Sequence, residues 1–393
     1  MTERELFFRY LGMPSISPMA LEIVKAEGVF LYDRQGKDYI DLVSGISVSN
    51  VGHRHPKILE AIRKQLDQYL YLNVYGEFIQ SPQVLLAEKL VSLLPSSLDA
   101  VYFVNSWTEA VEGAMKLAKR YTGRREIIAF KDAFHGSTQG ALSVLGHESL
   151  KQAFRPLLPD IRFLEFNNVS HLKHITSRTA CVITETVQSE AGLTLPSDGY
   201  LQQLRKQCNE TGTLLIFDDV QLGFGRTGFM FSFEPYGVVS DILVLAKAFG
   251  AGMPLGAFIA SKKVMDTLAY NPELGHITTF GGHPVSCAAA IAGIDVLTSG
   301  DLLSLVDKKG QQFEDAVKGN RSVHHIRRKG LSLAVDLADP SLRKPFMESC
   351  LKCGLIFDFY LFRPATFRIA PPITITDTEI REAIQRLLKA LSA

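Results

Sequence analysis

Five short apolar runs each end in side chains that could do chemistry. After "VYFV" (101–104) come Asn105, Ser106, Trp107, Thr108 and Glu109, and after "EIIAF" (126–130) comes "KDAFHG", with Phe134, His135 and Gly136. "CVIT" (181–184) leads to Glu185, Gln188 and Glu190. "LLIF" (214–217) leads to Asp218, Asp219 and Gln221, and "ILVL" (242–245) to Ala246, Lys247 and the glycine-rich "FGAGMPLG". A lysine just past a buried strand is desolvated, which lowers its pKa and makes it a nucleophilic amine. A carboxylate facing it suits a cationic ring nitrogen, an aromatic offers a stacking surface, and helix N-terminal amides favour a phosphate. Those are the needs of pyridoxal 5′-phosphate: a Schiff-base lysine, an acidic partner for the pyridinium and a phosphate cup.

Each residue alone has a plainer reading. Lys247 could be a solvated loop lysine, Asp218 the cap of the next turn, and Phe134 part of a core. Ser106 and Glu109 fit S-x-x-E, a capping box that needs no ligand. Capping explains the 105–109 turn about as well as a phosphate does, but it leaves the other four strand ends unexplained.

The elements that must position these residues follow from periodicity. The runs are short and non-alternating, as expected of strands buried on both faces. Helical patterns separate several of them, such as Val111, Ala114, Met115 and Ala118 on one face and "GYLQQLRKQCNETG" at 199–212. Alternating strands and helices predict a mostly parallel, doubly wound sheet, with ligands beyond its carboxyl edge. The flanks differ. Residues 21–42 alternate around a "DRQG" turn, predicting an antiparallel meander; 55–70 reads as an amphipathic helix. Strands are expected near 331–337 and 355–359, and a final helix at 377–391. The division expected is 1–54 and 291–393 in a small α+β domain built from both termini, and 55–290 in a large domain.

The 393 residues are 46% hydrophobic and 21% charged, enough for a sizeable core, and the formal net charge is +1. That balance gives no reason to expect nucleic acid or an anionic membrane as a partner. No apolar run has the length of a membrane span, and the charged start lacks a signal-peptide core, so a cytoplasmic protein is expected. Five scattered cysteines argue against a disulfide framework. "CLKC" (350–353) has no second ligand pair, so no metal site is expected. No G-x-G-x-x-G lies between a strand and a helix, which argues against a nicotinamide enzyme.

Longer segments resemble the class III, fold-type I pyridoxal-phosphate aminotransferases of the ornithine and acetylornithine group. They are "LLIFDDVQLGFGRTG", "LAKAFGAGMPLGA" and "TTFGGHPVSCAAA", and the likeness spans nearly the whole chain. The resemblance implies that Lys247 forms the internal aldimine and that Asp218 pairs with the pyridine nitrogen. It puts Val220 and Phe134 on the two ring faces and Gln221 on the ring hydroxyl, with Glu185 close by. Ser106, Trp107 and Thr108 fall at the phosphate cup, beside the Phe134-His135 turn. Thr279 resembles a threonine that reaches the neighbouring subunit's phosphate, which implies a homodimer with shared active sites. Arg368 resembles the arginine that grips a substrate α-carboxylate, and Glu190 the glutamate that pairs with it otherwise; a structural salt bridge is the plainer reading. The implied partners are an amino donor and a keto acid such as 2-oxoglutarate.

Several positions depart from the family pattern. Ser137 stands where a carboxylate-binding arginine is usual, Thr186 and Ser189 where proline and glycine are, and Asp219 where glutamate is. Trp107 replaces a glycine. A bulky residue is an outlier at positive φ, so Trp107 is expected at negative φ, with its ring toward a partner subunit or over the cofactor entrance. Two other readings stay open: an aminomutase of the glutamate-semialdehyde type, and a pyridoxal-phosphate-binding paralogue without turnover.

Overall fold

The computed structural model describes residues 1–74 and 76–392. Near the N-terminus, β1 (Ile23–Glu27), β2 (Phe30–Asp33) and β3 (Asp38–Asp41) form the antiparallel meander. Its turn closes because Asp33 Oδ1 accepts the backbone N–H of Gln35 and of Lys37, at 3.0 and 2.9 Å.

The large sheet contains β4 (Ala100–Val104), β5 (Glu126–Phe130), β6 (Ile161–Leu164), β7 (Thr179–Thr184), β8 (Leu214–Asp218), β9 (Ile242–Leu245) and β10 (Gly256–Ala260), in the spatial order β4-β10-β9-β8-β7-β5-β6. Pairing is parallel from β9 through to β6; β10 runs antiparallel to both of its neighbours. Every residue of β7, β8, β9 and β10 is buried, the burial that the apolar runs predict. β10 is absent from the sequence expectation because it lies inside a glycine-rich stretch that reads as loop. The helix Trp107–Thr122 packs on this sheet through Ala110, Val111, Ala114 and Met115. Gly113 permits the approach, since a Cβ there would lie 2.3 Å from the Phe258 ring on β10.

At the C-terminal end, β11 (Val323–Lys329), β12 (Ser332–Leu337), β14 (Asp358–Tyr360) and β15 (Arg363–Ile369) form an antiparallel sheet. The two-residue β13 (Leu355–Ile356) instead joins β3 in parallel, so the chain's two ends share a sheet. β11, "VHHIRRK", is too polar to read as a strand. The helix Asp377–Leu391 begins at a Thr376–Glu379 capping box. Ser44, Gly45, Ile46 and Ser47 run at φ 53, 57, 60 and 62°, a left-handed turn that carries the Ser47 hydroxyl to the large sheet's carboxyl edge. Among the described residues no helix is long and apolar enough to cross a membrane.

Candidate active site at the carboxyl edge of the large sheet

β8 and β9 are neighbours in the sheet, so the residues that follow them meet. Lys247 leaves β9 at φ 53°, a left-handed conformation that costs a lysine on the order of 1–3 kcal/mol and persists only where the surroundings hold it. Its ammonium donates a short hydrogen bond to Gln221 Oε1 and lies 4.5 Å from the centre of the Trp107 ring. Burial lowers the Lys247 pKa to about 8, against the opposing pull of the Glu190 carboxylate. Gln221 is held on its other side, donating from Nε2 to Ser47 Oγ at 3.4 Å.

Asp218 ends β8 and is buried. Its Oδ2 lies 2.7 Å from His135 Nδ1 and accepts the indole N–H of Trp107, also at 2.7 Å; Oδ1 accepts from the Val220 amide at 3.2 Å. His135 is fully buried, and its Nε2 has no hydrogen-bond partner. Trp107 opens its helix behind the N-cap Ser106, and its φ is not positive, as expected. Its ring does not follow expectation. It turns inward onto Asp218, 5.3 Å from Phe134 at a 55° tilt, and packs on the apolar cluster that contains Val220. The reason is visible in the bonding: a buried carboxylate needs donors, and the indole N–H is one within reach.

Glu185 and Glu190 follow β7. Burial, with Asp218 and Glu190 nearby, pushes the Glu185 carboxyl well above its ordinary pKa; Oε1 accepts the Ser189 amide, and Oε2 has no partner. Glu190 Oε1 accepts from Arg368 Nη2 at 2.6 Å, and Oε2 accepts from the Leu361 amide at 3.0 Å. Burial works against the Glu190 carboxylate, but Arg368 and that amide outweigh it and hold its pKa down. Arg368, on β15, lies 4.4 Å from the centre of the Tyr360 ring and keeps Nε and Nη1 without partners. Nothing in the sequence flags Tyr360 or Leu361, because their role depends on how the β14–β15 hairpin packs on β12 and meets Glu190.

The class III aminotransferase family model matches residues 13–391. The chain belongs to the class III aminotransferases. It is 37% identical, over the full length of both chains, to an acetylornithine aminotransferase of Methanopyrus kandleri. Among solved structures, an ornithine aminotransferase of Toxoplasma gondii superposes with a TM-score of 0.92 at 26% identity, covering 100% of this chain and 96% of that one. A thermostable (S)-enantioselective omega-transaminase of Thermomicrobium roseum does so at 0.90 and 29%, covering 99% and 98%. Both the fold and the family are therefore those of the fold-type I pyridoxal-phosphate enzymes.

As a class III aminotransferase the chain uses pyridoxal phosphate, and the donor set fits it. There is an amine for the aldehyde, a carboxylate for the ring nitrogen and apolar side chains for the ring faces. The indole of Trp107 lies among them. A cleft of about 260 Å³ opens alongside, lined by Val48, Asn105, Ser106, Trp107, Lys247 and Pro254. The other departures have local accounts. The Thr186 hydroxyl pairs with that of Ser232 at 2.5 Å, and Ser189 supplies the amide on Glu185. Asp219, raised to about 7 by burial, accepts the Ser232 amide rather than facing the cluster. Ser137 is exposed, after Gly136, whose φ of 122° and closeness to Thr108 exclude a side chain. Thr108 Oγ1 is 2.6 Å from Thr138 Oγ1, which in turn donates to Glu112, a residue that no motif singles out. Thr279 is exposed, and its carbonyl accepts from Tyr71 Oη at 2.8 Å.

Proposed function

We propose that the protein moves an amino group from an ω-amino acid or amine donor, of the ornithine, acetylornithine or 4-aminobutyrate kind, to 2-oxoglutarate or another keto acid. The observation that carries this reading is the meeting of a desolvated Lys247 with Asp218, beside a buried Glu190–Arg368 pair. Pyridoxal phosphate, when bound, supplies the electron sink for the donor's carbon. Lys247 is the amine that would hold its aldehyde, and the same Nζ would carry a proton to and from the donor's carbon; a pKa of about 8 leaves a useful neutral fraction near pH 7. Asp218, fixed by His135, would hold the ring nitrogen's proton. Phe134 and Val220 would confine the ring, Gln221 and Glu185 would serve its hydroxyl, and the Ser106-Trp107-Thr108 backbone would take the phosphate.

Arg368 receives the α-carboxylate of glutamate or 2-oxoglutarate when Glu190 turns aside, and Glu190 restores the ion pair when an ω-amine donor brings none. Such bidentate recognition suits a guanidinium with unpaired donors. We also infer a homodimer in which Thr279 serves the other copy's phosphate. The exposed Leu274, Ile277 and Phe280 in its own segment support a covered face. The division into 1–54 with 291–393 and 55–290 accords with the shared β3–β13 sheet. Five unpaired cysteines suit the reducing cytoplasm.

A donor screen tests the reading: ornithine, acetylornithine, lysine, 4-aminobutyrate, diamines and β-amino acids, each with 2-oxoglutarate or pyruvate. At least one donor should bleach the visible band of the cofactor-loaded protein and need a separate acceptor for turnover. Bleaching by none would sink the proposal, and turnover without an acceptor would point to the aminomutase.

A further inference from the structure

Trp107 touches three side chains that the cofactor ring is expected to touch. Its N–H donates to Asp218 Oδ2 at 2.7 Å, its ring centre lies 5.3 Å from that of Phe134 at a 55° tilt, and it is 4.5 Å from Lys247 Nζ. We propose that the indole is a built-in, displaceable ligand of the cofactor-ring site, so that pyridoxal phosphate binds only by ejecting it. This rests on the cofactor-binding role of Asp218 and Lys247 given above.

Three further observations support the exchange. Asp218 Oδ2 already receives His135 and the indole, and Oδ1 the Val220 amide, so a third strong donor on Oδ2 must replace one of them. His135 is fully buried and cannot leave, whereas Trp107 is only partly buried. Trp107, in the first turn of its helix, lines the 260 Å³ cleft, so open space adjoins the side chain that must move. The exchange also separates two forms of the cofactor. The aldehyde form gains a bond to Lys247 that offsets the displaced indole; pyridoxamine 5′-phosphate gains none and feels the competition in full.

Trp107 is the only tryptophan of the chain, so its emission reports on this site alone. Full-length protein stripped of cofactor, Trp107→Gly and Trp107→Phe would be titrated with pyridoxamine 5′-phosphate and with pyridoxal phosphate. Calorimetry gives the dissociation constants, acrylamide quenching of the parent's emission reports indole exposure, and circular dichroism checks folding. The expectation is that Trp107→Gly binds pyridoxamine phosphate about 10–100-fold tighter than the parent, the scale of one hydrogen bond to a charged group. Trp107→Phe, which fills space without an N–H, should fall between them, and quenching in the parent should rise with ligand occupancy. Equal or weaker binding by both folded variants, or unchanged quenching at saturation, would overturn the exchange while leaving the aminotransferase reading intact. If neither parent nor variants bind either phosphate, the cofactor-site assignment fails, and the exchange with it.

Discussion

The two buried charged groups that act on Lys247 solve one problem differently. One, Arg368, is held by Glu190; the other, Asp218, is held by Trp107 and His135. In each case a side chain of the protein occupies a position that a ligand group is expected to take. The Arg368–Glu190 pair is ionic and buried, so on the proposed function a substrate carboxylate would replace a carboxylate, like for like. The Asp218–Trp107 contact joins a charge to a neutral donor on a bulky ring that lies partly open to a cleft. The first, on the proposed reading, is a switch between two carboxylates. The second is a plug, and its removal shifts much more volume than one bond requires.

The largest expected effect tests whether the two groups serve one reaction. Lys247→Ala should remove the visible band of the lysine-bound cofactor and lower turnover by about 10²–10⁴-fold, the usual share of a positioned acid–base group. Retention of the band would break the lysine assignment. Next comes the ion pair. Glu190→Ala leaves a buried guanidinium without its counter-charge and should cost about 3–5 kcal/mol of stability, read from urea midpoints. Loss of the indole's hydrogen bond should cost about 1–3 kcal/mol, because Asp218 keeps His135 and the Val220 amide. Equal costs would remove the contrast between switch and plug. In kinetics, Arg368→Ala should raise KM for 2-oxoglutarate while sparing the half-reaction with a diamine; equal losses in both would mean a purely structural pair.

The sequence carries one end of the site better than the other. Lys247, Asp218, Gln221, Glu185 and Glu190 are legible because a buried parallel strand leaves its next residues at the sheet's edge, a rule local to each segment. The sheet itself is legible for the same reason, except β10, where glycines that admit close packing look like loop glycines. Tyr360 beside Arg368 and Leu361 on Glu190 are not legible, since they are placed by a hairpin whose register depends on packing with β12. Trp107 is the instructive failure. Its position and negative φ follow from the helix start, but side-chain direction is decided by which buried group lacks a donor, and that is a tertiary fact.

A pH series sharpens the Lys247 side. With its pKa lowered to about 8, the amine is protonated below that value and neutral above it. Capture of pyridoxal phosphate by stripped protein should therefore slow about tenfold per unit as pH falls below 8, and level off above it. A break near 10.5 would mean that the lysine is not desolvated in solution.

The smallest effect concerns donor choice. Ser137 is exposed beside Gly136, on the loop that carries Phe134 and His135, and it offers no charge to a donor's carboxylate. Ser137→Arg adds that charge at the rim, where solvent screens it, so the gain should be of the order of an exposed ion pair, about 0.2–1 kcal/mol. That corresponds to at most about a fivefold rise in kcat/KM for acetylornithine relative to a diamine lacking a carboxylate. The ratio cancels any general change in cofactor loading, which keeps the measurement independent of Trp107. A rise that vanishes at high salt would place the serine position on the substrate's path. No rise at any ionic strength would remove the 137 position from donor selection and leave the choice to the Glu190–Arg368 switch.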